Sequence, residues 1–111
     1  MQNKLLIIIS TGEAGKAHAG TMYAVNALKH AWMDEVKLYF FGPAEELLVK
    51  DKYLQELVAE YQNENESAIA CKFVAQESDI GDQVKSLGVE VQYVGEQISS
   101  LIKAGYTPMV W

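Results

Sequence analysis

The sequence has one cysteine, few basic side chains and no long apolar run, and each shortage excludes a class of protein. A single cysteine excludes an internal disulfide and a metal site built from several thiolates. It is also typical of reducing compartments, so we expect a cytoplasmic protein. The longest apolar run, residues 5–9, is too short for a signal-peptide core or a membrane span. We therefore expect no membrane partner.

Basic side chains number nine against fifteen acidic ones, which leaves a formal charge of −6. Nucleic acids and anionic membranes bind cationic surfaces, so we expect no nucleic-acid partner either. The composition is otherwise that of a globular protein, with 50% of the residues apolar and 22% charged. A chain of 111 residues can build one hydrophobic core, and we predict a single domain over residues 1–111.

Segments with strand and helix patterns alternate along the chain. Apolar and β-branched residues predict strands at 4–10, 35–41, 68–74, 89–94 and 106–111. Apolar residues at helical spacing predict helices at 16–32, from Pro43 to an interruption at Asp51, at 53–61, from Ser78 or Asp79 to Gly88, and from Gly95 to Gly105. Residues 62–67 form a short polar segment that predicts a loop.

Strands that alternate with helices pair in parallel, with helices on both faces of the sheet. We predict an α/β fold, a three-layer α/β/α sandwich around a five-stranded, mainly parallel sheet. Pro108 cannot donate a ladder hydrogen bond, so its strand is expected at an edge. Ligands of such sheets bind beyond the carboxyl ends of the strands. Loops at residues 10–16, 42–43, 71–78 and 95–96 are predicted to meet there.

The first of these loops has part of a phosphate-binding motif. The motif needs a glycine where Ser10 stands and a hydroxyl where Ala17 stands, so it fails twice. The dinucleotide fingerprint fails as well, because no Gly-x-Gly follows the strand. Two interpretations remain, a flexible connection or an anion site made by free N–H groups at a helix start.

The histidines and acids give weaker signals. His30 follows His18 by twelve residues on one predicted helix, too far to share a metal ion, and its place at the helix end is explained by the dipole. His18 lies near the predicted site, so a role as proton donor stays open. Glu45 and Glu46 follow Pro43 as acids typical of a helix start, and no carboxylate pair stands out from the solvated acids.

Cys71 is the best candidate nucleophile, and two interpretations of it stay open. As a structural residue it would be a small buried hydrophobe that shares one sheet face with Ile69 and Phe73. As a functional residue it would lie at the carboxyl end of its strand. There Lys72 and a helix start would favour the thiolate.

Over nearly its whole length the chain resembles the DsrE-like family of small sulfur-relay proteins, which includes DsrE, DsrF and TusD. The similar segments are KLLIIIS, the helix AHAGTMYAVNALKHAW, EVKLYFFGPAEELL, IACKF, and GVEVQYVGEQISSLIKAG with the aromatic end after it. The resemblance implies that Cys71 carries a persulfide and passes sulfur to a partner thiol. It also implies assembly as a homotrimer or a hexamer, in some relatives together with sister subunits.

The sequence departs from the family at two places. Many relatives have a second cysteine a few residues after the first, where this chain has Phe73, Val74 and Ala75. The arginine-glycine pair common after that cysteine is replaced by Asp79-Ile80-Gly81. An acid at such a position makes a nearby thiolate less favourable.

The leading hypothesis is therefore a sulfur carrier that works through Cys71, without cofactor or metal, with a separate sulfur donor and acceptor. Backbone N–H groups of the loops would hold the anion at Thr11, Gly12, Gly15, Lys16, Gly42 and Gly95. The alternative is a non-catalytic protein of the same fold that binds a small anion or nucleotide, or serves as an assembly subunit. The large aromatic side chains Trp32, Tyr39, Tyr106 and Trp111 have two interpretations, a surface that contacts another copy in a homo-oligomer or a cover for the rim of the core.

Overall fold

In a computed structural model, which describes residues 2–64 and 66–111, the chain forms five strands and six helices. The strands are β1 (Lys4–Ile9), β2 (Glu35–Phe40), β3 (Ile69–Cys71), β4 (Glu90–Gln92) and β5 (Thr107–Val110). The helices are α1 (Ala14–Lys29), α2 (Ala44–Lys50), α3 (Lys52–Gln62), α4 (Lys72–Glu77), α5 (Gly81–Ser86) and α6 (Gly95–Lys103). Met1 and Asn65, the latter in the predicted polar loop, lie outside the described residues.

The described strands form one sheet in the order β4-β3-β2-β1-β5, and every neighbouring pair is parallel. β1 lies inside the sheet between β2 and β5 and is buried on both faces, as its continuous apolar run predicts. β5 lies at an edge and contains Pro108, which confirms the predicted edge position. The predicted α/β class is confirmed, with a sheet that is wholly parallel in the residues described.

Two hydrophobic clusters lie on opposite faces of the sheet, because alternate residues of a strand point to opposite sides. The larger cluster holds Leu5, Ile7 and Ile9 of β1 together with buried residues of α1, α2, α3 and α5. The smaller one holds Leu6 and Ile8 of β1 with Tyr39, Cys71, Val94 and Tyr106, covered by Ile98 and Leu101 of α6. The helical layer on the α6 side of the sheet therefore buries fewer side chains than the layer on the other side. Within α6, all of whose residues the structure describes, no side chain is buried.

Asp51 joins two helices at the predicted interruption. It ends α2 with an extended backbone, and its side chain accepts a hydrogen bond from the Leu54 N–H at 2.8 Å, which begins α3. An aspartate that makes this N-cap contact satisfies a helix donor that would otherwise lack a partner. The predicted break between the two helices is confirmed, although Pro43 is the cap of α2 instead of its first residue.

The strand predicted at 68–74 is wrong at its end. β3 stops at Cys71, and Lys72–Glu77 forms α4, so the predicted loop at 71–78 is a helix. Phe73 consequently leaves the sheet face that it was predicted to share with Ile69 and Cys71, and it is 60% exposed. The aromatic and β-branched pair Phe73-Val74 suggested a strand, whereas the following Ala-Gln-Glu favours helix and decides the conformation.

The turn after α4 also differs from the prediction. α5 begins at Gly81 with Ile80 as its cap, so neither Ser78 nor Asp79 caps it. Ser78 ends α4, and Asp79 adopts a left-handed backbone with φ of 55°, a conformation that Asp tolerates better than most residues. The strand predicted at 89–94 is shorter as well, because only Glu90–Gln92 is paired with β3.

Candidate functional site

Three parallel strands end side by side at the site. Ile9 pairs with Phe40 and Phe40 pairs with Ala70, so Cys71 follows directly at the same level of the sheet. We call this end of β1, β2 and β3 the carboxyl edge. Cys71 is the last residue of β3 and the cap of α4, which places it where ligands of parallel sheets are commonly found.

The Cys71 side chain points into the smaller hydrophobic cluster and is 5% exposed. Tyr39 and Val94 belong to the same cluster, and Val74 of α4 packs against it. The position agrees with the functional interpretation of Cys71, whereas the burial agrees with the structural one. A reagent therefore reaches the thiol only if this part of the carboxyl edge opens.

Glu45 is the one charged side chain buried at 0% exposure among the described residues, and the sequence interpretation missed it. Its Oε2 accepts a hydrogen bond from the Gly42 N–H at 3.4 Å, and its Oε1 has no hydrogen-bond partner in the part of the chain described. Burial raises the pKa of Glu45 to about 7, while the backbone N–H groups of Gly42 and Cys71 lower it by less. The prediction that the acids are solvated is thus wrong at Glu45.

Helical spacing could have revealed this residue. Glu45 precedes Leu48 by three positions and Val49 by four, so it lies on the apolar stripe of α2 and not on the solvent side. The helix dipole accounts equally well for Glu45 and Glu46 at a helix start, so it does not distinguish the buried acid from the exposed one. Glu46, one position further, is exposed and accepts a hydrogen bond from the Ser78 hydroxyl at 2.8 Å.

A surface groove of about 350 Å³ lies over the same corner of the protein. It is lined by Gly42 and Pro43 from the β2–α2 turn, by Glu46, and by Val74 and Ser78 from α4. Val74 also packs against the cluster that contains Cys71, so this one side chain contacts both the groove and the surroundings of the thiol. The hydrogen bond between Ser78 and Glu46 connects the two walls.

The loop that was predicted to bind an anion is closed by the protein itself. The Glu13 carboxylate accepts hydrogen bonds from the Gly15 N–H at 3.0 Å and the Lys16 N–H at 2.6 Å, and these contacts lower the Glu13 pKa. Thr11 donates its N–H to the Trp111 carbonyl at 3.1 Å. An external anion at these donors would have to displace Glu13, which acts as the N-cap of α1.

The remaining predicted binding residues lie in two places. Gly12 approaches Pro43, and Gly42 approaches Ser10, so the β1–α1 loop and the β2–α2 turn are in contact. Gly42 has φ of 112°, a conformation that favours glycine. Gly95 begins α6 after β4, and two strands separate β4 from β1, so the structure does not gather all predicted binding residues around one point.

His18 has partners of its own. Its Nε2 lies 2.9 Å from Asp51 Oδ1, and its ring meets the Tyr53 ring edge-on at 4.8 Å. The Leu54 N–H and then His18 hold the pKa of Asp51 below its usual range. These contacts connect α1 to the α2–α3 break. His30 ends α1 as predicted, and its ring stacks on Trp32.

A second groove of about 460 Å³ lies on the α6 side of the sheet. Tyr39 and Tyr93 line it with Glu96, Gln97, Ser100 and Leu101. The Tyr39 hydroxyl donates to Gln97 Oε1 at 2.7 Å, and the Gln97 amide donates in turn to Gln92, so α6 is anchored to the sheet by polar contacts. Tyr93 is 60% exposed beside this groove.

Two features are absent from the described residues. No group of three or more His, Cys, Asp or Glu side chains in these residues could hold a metal ion. No helix in the described ranges combines the length and the apolar character needed to cross a membrane.

The comparisons with known proteins establish the fold. No model of a known family matches the chain, and no curated protein matches it. The chain is similar to the solved structure of a conserved protein of unknown function from Bacteroides thetaiotaomicron, with a TM-score of 0.90. The two chains are 21% identical, and the alignment covers 98% of this chain and 95% of the other. At this level of identity the similarity concerns the fold alone.

Proposed function

We propose that this protein is a cytoplasmic sulfur carrier of the DsrE-like type, in which Cys71 holds sulfur as a persulfide. The observation that carries the proposal is the position of Cys71 at the carboxyl edge, where β3 ends and α4 begins. A thiol there belongs to the region of a parallel sheet in which ligands bind. The resemblance of the sequence to DsrE-like proteins supports the same residue.

The proposed reaction transfers one sulfur atom in two displacements. The Cys71 thiolate attacks the outer sulfur of a donor persulfide, the sulfur–sulfur bond of the donor breaks, and the donor leaves as a thiolate that takes up a proton. An acceptor thiolate then attacks the outer sulfur of the Cys71 persulfide. The sulfur–sulfur bond of this persulfide breaks, and Cys71 is left as a thiolate. A chain with one cysteine cannot accept its own sulfur, so donor and acceptor are other molecules.

In this proposal the Cys71 thiol becomes accessible to donor and acceptor when α4 opens locally. α4 has six residues, and Ala75 is the one fully buried among them. A short helix with few buried side chains opens at a low free-energy cost compared with the whole domain. The burial of Cys71 in the closed form would then protect the persulfide from water and small oxidants.

The test is intact-protein mass spectrometry after incubation with inorganic polysulfide. The wild type is expected to gain the mass of one sulfur atom, which a reductant removes. Cys71→Ser is expected to gain none. A wild type that gains no sulfur, or a Cys71→Ser variant that gains as much, overturns the proposal.

A second candidate function is that of a subunit in a homo-oligomeric assembly without catalysis. It is favoured by the exposed aromatic and apolar side chains on the α6 side, where Tyr93 and Ile102 are 60% and 46% exposed. Interfaces between subunits are enriched in such side chains. Sedimentation of the wild type and of Tyr93→Glu at equal concentrations tests the assembly, and the polysulfide experiment separates an assembly subunit from a sulfur carrier. A trimer or hexamer that Tyr93→Glu dissociates supports assembly, and a monomeric wild type rejects it.

A further inference from the structure

Glu45 interacts with the backbone of two segments, the β2–α2 turn and the β3–α4 junction where Cys71 lies. Its side chain belongs to α2, its carboxylate accepts a hydrogen bond from the Gly42 N–H in the β2–α2 turn, and the backbone N–H of Cys71 at the β3–α4 junction lowers the pKa of the same carboxylate. The side chain is 0% exposed, and its Oε1 has no hydrogen-bond partner among the described residues. A buried carboxylate with one unsatisfied oxygen is costly as an anion and much less costly as an acid.

We propose that the protonated form of Glu45 keeps the β3–α4 junction closed over Cys71, and that its ionisation favours the opening of this junction to water. The inference rests on the proposed function in taking Cys71 as the working group, and it assigns a regulation to that site. Glu45 is a positioning residue here, since it acts through the junction and not on the sulfur that is transferred.

Other charges near Glu45 do not explain its protonation. α2 itself carries Glu46 and Lys50, and α4 carries Lys72 and Glu77. The helices packed against α2 add Asp82 and Lys85 on α5, and Lys52, Glu56 and Glu60 on α3. The pKa of Glu45 responds first to burial, which raises it, and then to the two backbone N–H groups, which lower it by less. Opening removes the burial and thus the reason for holding the proton.

The sign of the effect follows from the two states. In the closed state the pKa of Glu45 is about 7, and in an open, hydrated state it returns toward 4.5. The closed state therefore binds the proton more tightly, and the equilibrium for opening rises with pH between these values and is constant above about 7. Within that window one proton is released per opening, which makes the opened fraction grow about tenfold per pH unit.

The experiment measures the rate of Cys71 alkylation by iodoacetamide from pH 5.5 to 8.5, with no sulfur donor present. The reaction of a thiol already rises about tenfold per pH unit in this range, because only the thiolate reacts. With opening added, the logarithm of the wild-type rate is expected to rise with a slope of about two below pH 7 and about one above it. Glu45→Gln is expected to show a slope of about one throughout.

Glu46→Gln is the matched control, because Glu46 is the exposed neighbour on the same helix turn. It is expected to keep the wild-type change of slope. A change of slope that persists in Glu45→Gln, or that is absent from the wild type, overturns the inference. Should Glu45→Gln fail to fold, hydrogen exchange of the α4 amides in the wild type decides the question. Their protection, corrected for the intrinsic rate, must fall about fivefold from pH 6 to pH 7, and a constant protection overturns the inference.

The two proposals fail separately. If the wild type takes up no sulfur from polysulfide but shows the change of slope, the sulfur-carrier proposal is rejected and the control of opening by Glu45 is supported. If the wild type takes up sulfur but its alkylation rate rises with a single slope, the sulfur-carrier proposal is supported and the control of opening by Glu45 is rejected.

Discussion

The Trp111 indole lies directly against the backbone of Gly20. A Cβ added to Gly20 would lie 2.5 Å from Trp111 Cγ and 2.7 Å from Ile9 Cδ1, which is closer than real Cβ atoms approach. The Trp111 carbonyl also accepts the N–H groups of Ser10 and Thr11. One aromatic residue after β5 thus holds α1 and the β1–α1 loop together, at the point where the strand order reverses between β1 and β5.

Gly20→Ala is therefore expected to destabilise the protein. The added methyl group must displace the Trp111 ring or the Ile9 side chain from a packed site, and overpacking of this kind costs about 1–3 kcal/mol. Urea unfolding followed by tryptophan fluorescence measures the change. Gly95→Ala is the control, because a Cβ there has no atom of the described residues within 4 Å. It is expected to be neutral or slightly stabilising, and equal losses in both variants would contradict the explanation.

Asp51→Ala is expected to cost about 1–2 kcal/mol of unfolding free energy. The variant loses the N-cap contact to Leu54 and the contact to His18. Asp51→Asn is expected to retain most of the stability, since asparagine caps a helix about as well as aspartate. Because contacts in the folded state lower the pKa of Asp51, the difference between wild type and Asp51→Asn should shrink as pH falls below the usual value of 3.8. Denaturant titrations at pH 7 and pH 3 provide the measurement.

Glu45→Gln is expected to change how global stability depends on pH. The folded-state pKa of about 7 lies above the ordinary value of 4.5, so the wild type loses stability as pH rises from about 4.5 to about 7. The neutral glutamine removes this dependence, so the variant should gain about 1–3 kcal/mol relative to the wild type between pH 5 and pH 8. Urea midpoints at the two pH values report the difference. If the unfolding free energies of the two proteins depend on pH in the same way, Glu45 is hydrated in the folded state and the explanation is contradicted.

Tyr39→Phe is expected to loosen α6 while the rest of the molecule stays as stable as before. The variant loses the hydrogen bond from the Tyr39 hydroxyl to Gln97, worth about 1 kcal/mol. Burial raises the pKa of Tyr39, so the hydroxyl is a neutral donor at physiological pH. Hydrogen exchange is expected to quicken in α6 and to stay unchanged in α1. Tyr93→Phe, at an exposed ring, should leave both helices unchanged.

The sequence predicted the architecture because strong patterns carry it. The apolar run of β1, the helical spacing of α1 and α3, the break at Asp51 and the position of Pro108 all agree with the structure. The errors fall where a segment is short. Six residues from Lys72 are too few for a helical period to outweigh the aromatic and β-branched pair beside Cys71.

The site was less predictable, because its properties depend on contacts between distant segments. The placement of Cys71 at a strand end was one of two interpretations that the sequence left open, and its burial depends on Tyr39 and Val94, which come from other strands and loops. The free N–H groups expected after β1 are bound by Glu13, a local contact that the Glu-Ala-Gly-Lys sequence allowed but did not require. Glu45 was visible on the apolar stripe of α2, but its unsatisfied oxygen was not.

The thin layer formed by α6 affects how the protein should be studied. This helix touches the sheet through half-exposed side chains and a few polar contacts, whereas α1 contributes fully buried residues to the larger cluster. A fluorescent or spin label attached to α6 would report the fraying of one layer, and a label on α1 would report the melting of the molecule. Two laboratories that chose different helices could publish different melting temperatures for the same protein, and both would have measured correctly.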